Sequence, residues 1–229
     1  MVGLENKNIW IIANWKSNKT IKEALEWIEL VGPRLPKNNN LKVVVCPPFT
    51  DVEEVKKAVM VGNYPLIVGV QDLSPFEVGP YTGEESAAIL KDFVDFAIIG
   101  HSERRHNFFE TDEMVKEKVE MARKNSITPL VCIEGVDVPI PEGVDLVAYE
   151  PIFAIGTGEA DTPQSAGKIA TLIKQKTGQD TQVLYGGSVT AENASSFLES
   201  KILDGLLVGK ASLDPGEFVQ IVEAVSGGD

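Results

Sequence analysis

The chain has 229 residues, 43% hydrophobic and 24% charged, with a formal net charge of −13 at pH 7. Such a chain can bury a large core and has the make-up of an ordinary soluble protein, while its acidic balance argues against a nucleic-acid partner or an acidic membrane surface. Cys46 and Cys132 are too few for a disulfide framework, no apolar run approaches membrane-spanning length, and Met1-Val2-Gly3-Leu4-Glu5-Asn6-Lys7 does not read as a secretory signal. A cytoplasmic protein with reduced thiols is the expectation.

In chain order, Asn8-Ile9-Trp10-Ile11-Ile12-Ala13 predicts a buried strand whose exit carries Asn14-Trp15-Lys16. A helical stripe of Ile21, Leu25, Ile28 and Val31 predicts a helix over 21–35, closed by Gly32-Pro33. A second strand, 41–46, stops at Pro47-Pro48, and Thr50 with Glu53 reads as a capping box opening a helix to about Val59. A third strand, 65–70, leads into a polar, glycine-containing loop over 71–85 and a helix over 84–92. The fourth strand, 95–99, exits into Gly100-His101-Ser102-Glu103-Arg104-Arg105, followed by a helix over 112–125.

Strands over 128–133 and 145–149 come next, and the run between them holds two prolines and two glycines, too many for a normal helix. The sixth strand ends in Tyr149-Glu150-Pro151. Proline stops the strand and keeps the residue before it extended, which fixes the backbone that aims Glu150. The apolar tip Ile152-Phe153-Ala154-Ile155 and the hinge Gly156-Thr157-Gly158 follow, a pattern that suits a base under a closing lid. Thr162 and Pro163 open a helix to Thr177, closed by Gly178. The seventh strand, 182–185, exits into Gly186-Gly187-Ser188, with Thr190 capping a helix through Leu198. The eighth, 203–208, exits into Gly209-Lys210, and Asp214-Pro215 opens a last helix over 216–225.

Strands that are continuous apolar runs have both faces covered, so the sheet is parallel. Eight of them alternating with helices predict an α/β chain folded as one (β/α)8 barrel domain over 1–229, with a shortened fifth helical unit. All strand exits of such a barrel share one rim. There the sequence places a cation, Lys16, an imidazole, His101, and a carboxylate, Glu150, with Asn14 and two glycine-bearing loops whose N–H groups can converge on an anion. That set suits acid–base chemistry on a small phosphorylated molecule. Cys46 and Cys132 read as buried apolar groups, His106 as a surface histidine without a companion, and Arg104 and Arg105 as structural ion-pair donors.

The runs Ala13-Asn14-Trp15-Lys16, Ile98-Ile99-Gly100-His101-Ser102-Glu103-Arg104-Arg105, Ala148 through Gly158, Leu184-Tyr185-Gly186-Gly187-Ser188 and Leu207-Val208-Gly209 together resemble the triosephosphate isomerase family, in order and over the whole chain. The short segment before the sixth strand is similar to the archaeal branch of that family. The resemblance implies a TIM barrel acting as an aldose–ketose isomerase of glycolysis and gluconeogenesis, which interconverts dihydroxyacetone phosphate and D-glyceraldehyde 3-phosphate through an enediolate. It implies Glu150 as base, His101 as a neutral electrophile (the arrangement known for this family) and Lys16 as the cation binding phosphate. Asn14 would contact the substrate oxygens, and Ser102 and Glu103 would support the site. Ile155, Gly156, Gly187, Ser188, Gly209 and Lys210 would contribute to substrate binding, chiefly through backbone N–H groups. No metal or organic cofactor is implied, nor any nucleic-acid or membrane partner. A homo-oligomer is expected, a dimer or a tetramer, with 71–85 as the loop that enters a neighbouring subunit.

Two positions depart from the family pattern. Lys210 stands where a second glycine is usual, and its side chain is expected to point outward with its N–H kept for the phosphate. Asp72 stands where asparagine is common, in a region assigned to assembly. Other phosphate-binding barrels, such as a sugar-phosphate epimerase or an aldolase, and a non-catalytic barrel remain as alternatives. The first two would want metal ligands, paired acids or a lysine buried at a strand centre. The last would be expected to lack one of Lys16, His101 and Glu150.

Overall fold

The computed structural model describes residues 8–151 and 161–226. Eight parallel strands close a barrel in sequence order. They are β1 Ile9–Asn14, β2 Leu41–Cys46, β3 Ile67–Val70, β4 Phe96–Ile99, β5 Thr128–Ile133, β6 Leu146–Tyr149, β7 Gln182–Tyr185 and β8 Gly205–Val208. Closure is made by β8 lying against β1, from Trp10 opposite Gly205 to Ala13 opposite Val208.

Alternation along each strand explains the unbroken apolar runs. Ile12, Val44, Cys46, Ile98, Cys132, Ala148 and Leu207 fill the barrel interior. Ile11, Val43, Val45, Ile99 and Val147 face outward into the layer beneath the helices. Each fully buried aliphatic side chain contributes roughly 1.5–3 kcal/mol, so the double layer makes the strand exits a stiff rim on which to mount reacting groups.

The helices are α1 Ile21–Val31, α2 Val52–Gly62, α3 Ala87–Leu90, α4 Ser102–Asn107, α5 Asp112–Lys124, α6 Pro163–Thr177, α7 Ala194–Leu198 and α8 Pro215–Val225. The first of these is started by a capping box that the sequence reading passed over. Thr20 accepts from the Glu23 N–H, and Glu23 accepts from the Thr20 N–H. It buries Ala24, Trp27, Ile28 and Val31, and Trp27 donates to the Ser212 carbonyl, tying α1 to the segment after β8. No helix among the described residues is long and apolar enough to cross a membrane.

Several expected boundaries shift. The capping box assigned to Thr50 is absent: Asp51 stands at the cap of α2 without a side-chain cap bond, and Thr50 Oγ1 donates to Asp51 instead. The helix expected over 84–92 shrinks to α3, and α1 stops at Val31, because Gly32–Arg34 tightens into a 3-10 turn around Pro33. The helix expected from Thr190 begins at Ala194. The most consequential addition is α4, one and a half turns inserted between β4 and α5, because it carries Ser102 and Glu103. The segment between β5 and β6 has no helix, as its prolines and glycines indicated.

Candidate active site

The site is assembled from strand exits. Asn14 ends β1 and is 5% exposed. Its Oδ1 accepts from the Lys16 N–H at 3.0 Å. Lys16 adopts a φ of +53°, a left-handed conformation that costs an L-residue roughly 1–2 kcal/mol. It is held there from both sides, since its carbonyl accepts from Gln71 Nε2 at 2.8 Å while that amide also donates to the Cys46 carbonyl at 3.0 Å. The lysine stem is thereby aimed along the rim, and Nζ meets Glu103 Oε1 at 2.6 Å. Gln71 emerges only here, because its partners are backbone oxygens of two other strand exits.

His101 caps α4. Its Nδ1 accepts from the Glu103 N–H at 3.2 Å, and its Nε2 lies 2.8 Å from Glu150 Oε1. A ring nitrogen that accepts a backbone N–H carries no proton, so the geometry assigns a neutral imidazole with its proton on Nε2, donated to Glu150.

Glu150 is 1% exposed. Its backbone continues the sheet: the Glu150 N–H donates to the Ile133 carbonyl of β5, and the N–H of Gly186, just past β7, donates to the Tyr149 carbonyl. Its carboxylate is satisfied by His101 on Oε1 and by the Ser102 N–H on Oε2 at 3.0 Å. Gly186 fits closely beside it: a Cβ there would lie 3.0 Å from Glu150 Cγ and 3.3 Å from the Tyr149 carbonyl, so a side chain would press on the carboxylate stem. Burial, and next the Glu150 carboxylate, push the Cys132 thiol well above its ordinary value, so it stays protonated behind the base. Cys46, raised by burial alone, is also inert.

Of the phosphate-loop candidates, Gly209 lies near Lys16. A Cβ on Gly209 would lie 3.7 Å from Lys16 Cε, which places the β8 exit against the lysine. Lys210 opens the 3-10 turn Lys210–Leu213 with an exposed side chain and without a positive φ. Gly187 and Ser188 are half-buried at the β7 exit, where the Ser188 carbonyl accepts from Asn193 Nδ2. Ile155 and Gly156 lie outside the described residues. The Tyr185 hydroxyl of β7 accepts from the Asp161 N–H at 2.8 Å. Burial pushes that hydroxyl up to about 12, so it remains a neutral phenol. Tyr185 joins Gln71 as a contributor whose position only tertiary contact reveals.

Two minor readings change. His106 has a companion, Glu134 Oε1 at 3.2 Å. Asp72 is bound within its own chain, to Lys118 and Arg104. Arg104 and Arg105 are ion-pair donors as expected, the latter to Asp112.

A carboxylate, a neutral imidazole N–H and an ammonium on one rim can remove a carbon-bound proton next to a carbonyl and stabilise the oxyanion that forms. In the unliganded arrangement Glu150 and His101 satisfy each other. A ligand carbonyl that accepts from the His101 Nε2–H in place of Glu150 would free the carboxylate to act on a neighbouring carbon.

Comparison with known proteins agrees with this geometry. A family profile described as Triosephosphate isomerase matches residues 9–138 and 142–225, its gap falling in the helix-free segment between β5 and β6. Among relatives, a triosephosphate isomerase of Alkaliphilus oremlandii is 40% identical, with 93% of this chain and 97% of the relative covered. Those of Caldanaerobacter subterraneus subsp. tengcongensis and Aquifex aeolicus are 39% and 35% identical over the same shares. The chain belongs to the triosephosphate isomerase family.

Proposed function

We propose that this protein interconverts dihydroxyacetone phosphate and D-glyceraldehyde 3-phosphate, with Glu150 as the base, His101 as the electrophile and Lys16 as the phosphate-binding cation. The observation that supports the reading is the chain of contacts Lys16–Glu103–His101–Glu150 along the rim, the arrangement expected of three groups that share one small ligand. In the forward direction Glu150 takes a proton from the carbon between hydroxyl and carbonyl. The carbonyl oxygen becomes the enediolate oxygen and takes the proton of His101 Nε2, the imidazole takes back the proton of the neighbouring hydroxyl, and the protonated Glu150 returns its proton to the former carbonyl carbon, leaving the aldehyde. Lys16 and the N–H groups of Gly187, Ser188, Gly209 and Lys210 hold the phosphate, with Ile155 and Gly156 contributing from the segment that follows Glu150. Asn14 and Glu103 orient the lysine, and Ser102 holds the resting carboxylate.

A coupled assay on D-glyceraldehyde 3-phosphate tests the reading. Turnover is expected with purified chain in the presence of a chelator. Absence of turnover by folded protein, with binding of the triose phosphate retained, would instead favour the non-catalytic barrel.

The same reading includes assembly as a homo-oligomer, a dimer or a tetramer. Phe76 and Tyr81 stack at 4.2 Å on the 71–85 loop with 42% and 41% of their surfaces exposed, and Val78 beside them is 66% exposed. Apolar surface of this kind on a projecting loop supports a subunit contact. Light scattering at micromolar concentration is expected to give at least twice the chain mass, and a mass equal to one chain would reject the assembly.

A further inference from the structure

Gly100 links β4 to His101 and has a φ of +72°. A Cβ there would lie 3.0 Å from both Arg105 Nη2 and Val115 Cγ2, so the position favours glycine by both backbone and space. Glycine is also the residue least able to hold its own conformation. Both of its backbone polar groups are instead held by charged side chains. The Gly100 N–H donates to Glu110 Oε1 at 3.1 Å, and Arg105 Nε donates to the Gly100 carbonyl at 2.8 Å.

Glu110 is 5% exposed and is itself pinned. Its Oε2 accepts from Arg104 Nε at 2.6 Å and from Lys118 Nζ at 2.8 Å. Asp72 balances the second cation, accepting from Lys118 at 2.7 and 2.8 Å and facing Arg104 Nε at 2.8 Å. Two cations and two carboxylates make a neutral buried cluster, the condition under which such charges are tolerated. Burial pushes Glu110 up, but Lys118 and Arg104 outweigh it and hold the carboxyl below its ordinary value. Burial instead pushes Asp72 up to about 6, so of the two carboxylates Asp72 takes a proton first and Glu110 stays ionised.

We infer that Glu110 is a positioning residue for His101: through the Gly100 N–H it holds the turn that leads into the imidazole, while Arg104 and Lys118 hold its other oxygen. The inference rests on the proposed role of His101, but its physical content can be measured without substrate. Without the Glu110 bond, a left-handed glycine keeps only the Arg105 clamp on its carbonyl. The Nδ1 contact with the Glu103 N–H and the Nε2 contact with Glu150 then loosen together. A misplacement of about 1 Å in a reacting group can lower turnover about a hundredfold.

The test compares Glu110→Ala, Glu110→Gln and Asp72→Asn in the full chain, reading kcat, KM and the imidazole 15N signals of His101. Glu110→Ala is expected to lower kcat roughly 10- to 100-fold with KM changed less than about threefold, and to shift the His101 signals away from a fixed Nε2–H pattern. Glu110→Gln keeps an oxygen acceptor and is expected to fall between it and wild type. Asp72→Asn, which does not touch Gly100, is expected to reduce stability while leaving kcat and the His101 signals near wild type. Unchanged His101 signals in Glu110→Ala, or in Glu110→Gln if the first variant does not fold, would overturn the inference. So would matched kcat losses in Asp72→Asn and Glu110→Ala, which would indicate a merely structural cluster. If the wild-type chain lacks isomerase activity, the proposed function fails while the His101 signals still decide whether Glu110 positions the ring.

Discussion

Glu150→Gln is expected to lower kcat by about three orders of magnitude, within the range of roughly 10²–10⁴ that positioned acid–base groups supply, while the chain stays folded. The side chain is 2% exposed and accepts from the His101 Nε2–H and the Ser102 N–H. A glutamine oxygen can accept only part of that set, and its NH2 would face one of those donors. The variant therefore loses basicity and also forfeits about 1–3 kcal/mol for an unmet buried group. Glu150→Asp separates the two effects. It keeps the charge but withdraws the oxygens by about one bond length, and a loss of about a hundredfold is expected from misplacement alone. Steady-state kinetics with thermal melts distinguish the cases. Full turnover in either variant would remove Glu150 from its assigned role.

Lys16→Gly and Lys16→Met are expected to lose activity alike and stability differently. Both remove the ammonium, which faces Glu103 at 2.6 Å and has Gly209 against its stem. The expected loss in kcat/KM is at least about 10²–10³-fold, the scale for one preorganised stabiliser of developing charge, with KM for triose phosphate rising as well. Restoring that field is hard for a chain of net charge −13, since no long-range attraction compensates for a missing local cation. The methionine keeps the strained φ of +53°, whereas glycine adopts it without penalty and is expected to be more stable than the methionine variant by roughly 1 kcal/mol. The lost ion pair contributes little to that comparison, because Lys16 and Glu103 are 30% and 43% exposed and such bridges are worth about 0–1 kcal/mol. Equal melting temperatures in the two variants would contradict the assigned strain, and retained kcat/KM would contradict the assigned charge role.

The parts of the site that were visible in the chain were those written locally. Glu150 before Pro151, His101 after Gly100 and Lys16 after Asn14 each follow an apolar run, and in a parallel barrel position after a strand is position on the rim. The parts that were not visible are hydrogen bonds across the fold. Gln71 holding the Lys16 carbonyl and Lys118 holding Asp72 join residues far apart in sequence. Residue type alone does not indicate which of many polar side chains will face them. α4 was passed over because six residues, Ser102–Asn107, are too few to show an apolar stripe, and its start depends on a histidine acting as cap.

The amino-acid sequence by itself determined the parallel (β/α)8 architecture, the missing helix before β6 and the three rim groups, because burial on both sheet faces imposes an apolar pattern that strand exits punctuate. Only the tertiary structure decided which nitrogen of His101 carries the proton, how Lys16 is kept in a left-handed conformation and what clamps Gly100. Those outcomes turn on distances of about 3 Å between separate strands and helices, which hydrogen bonding requires and which only the closed barrel establishes.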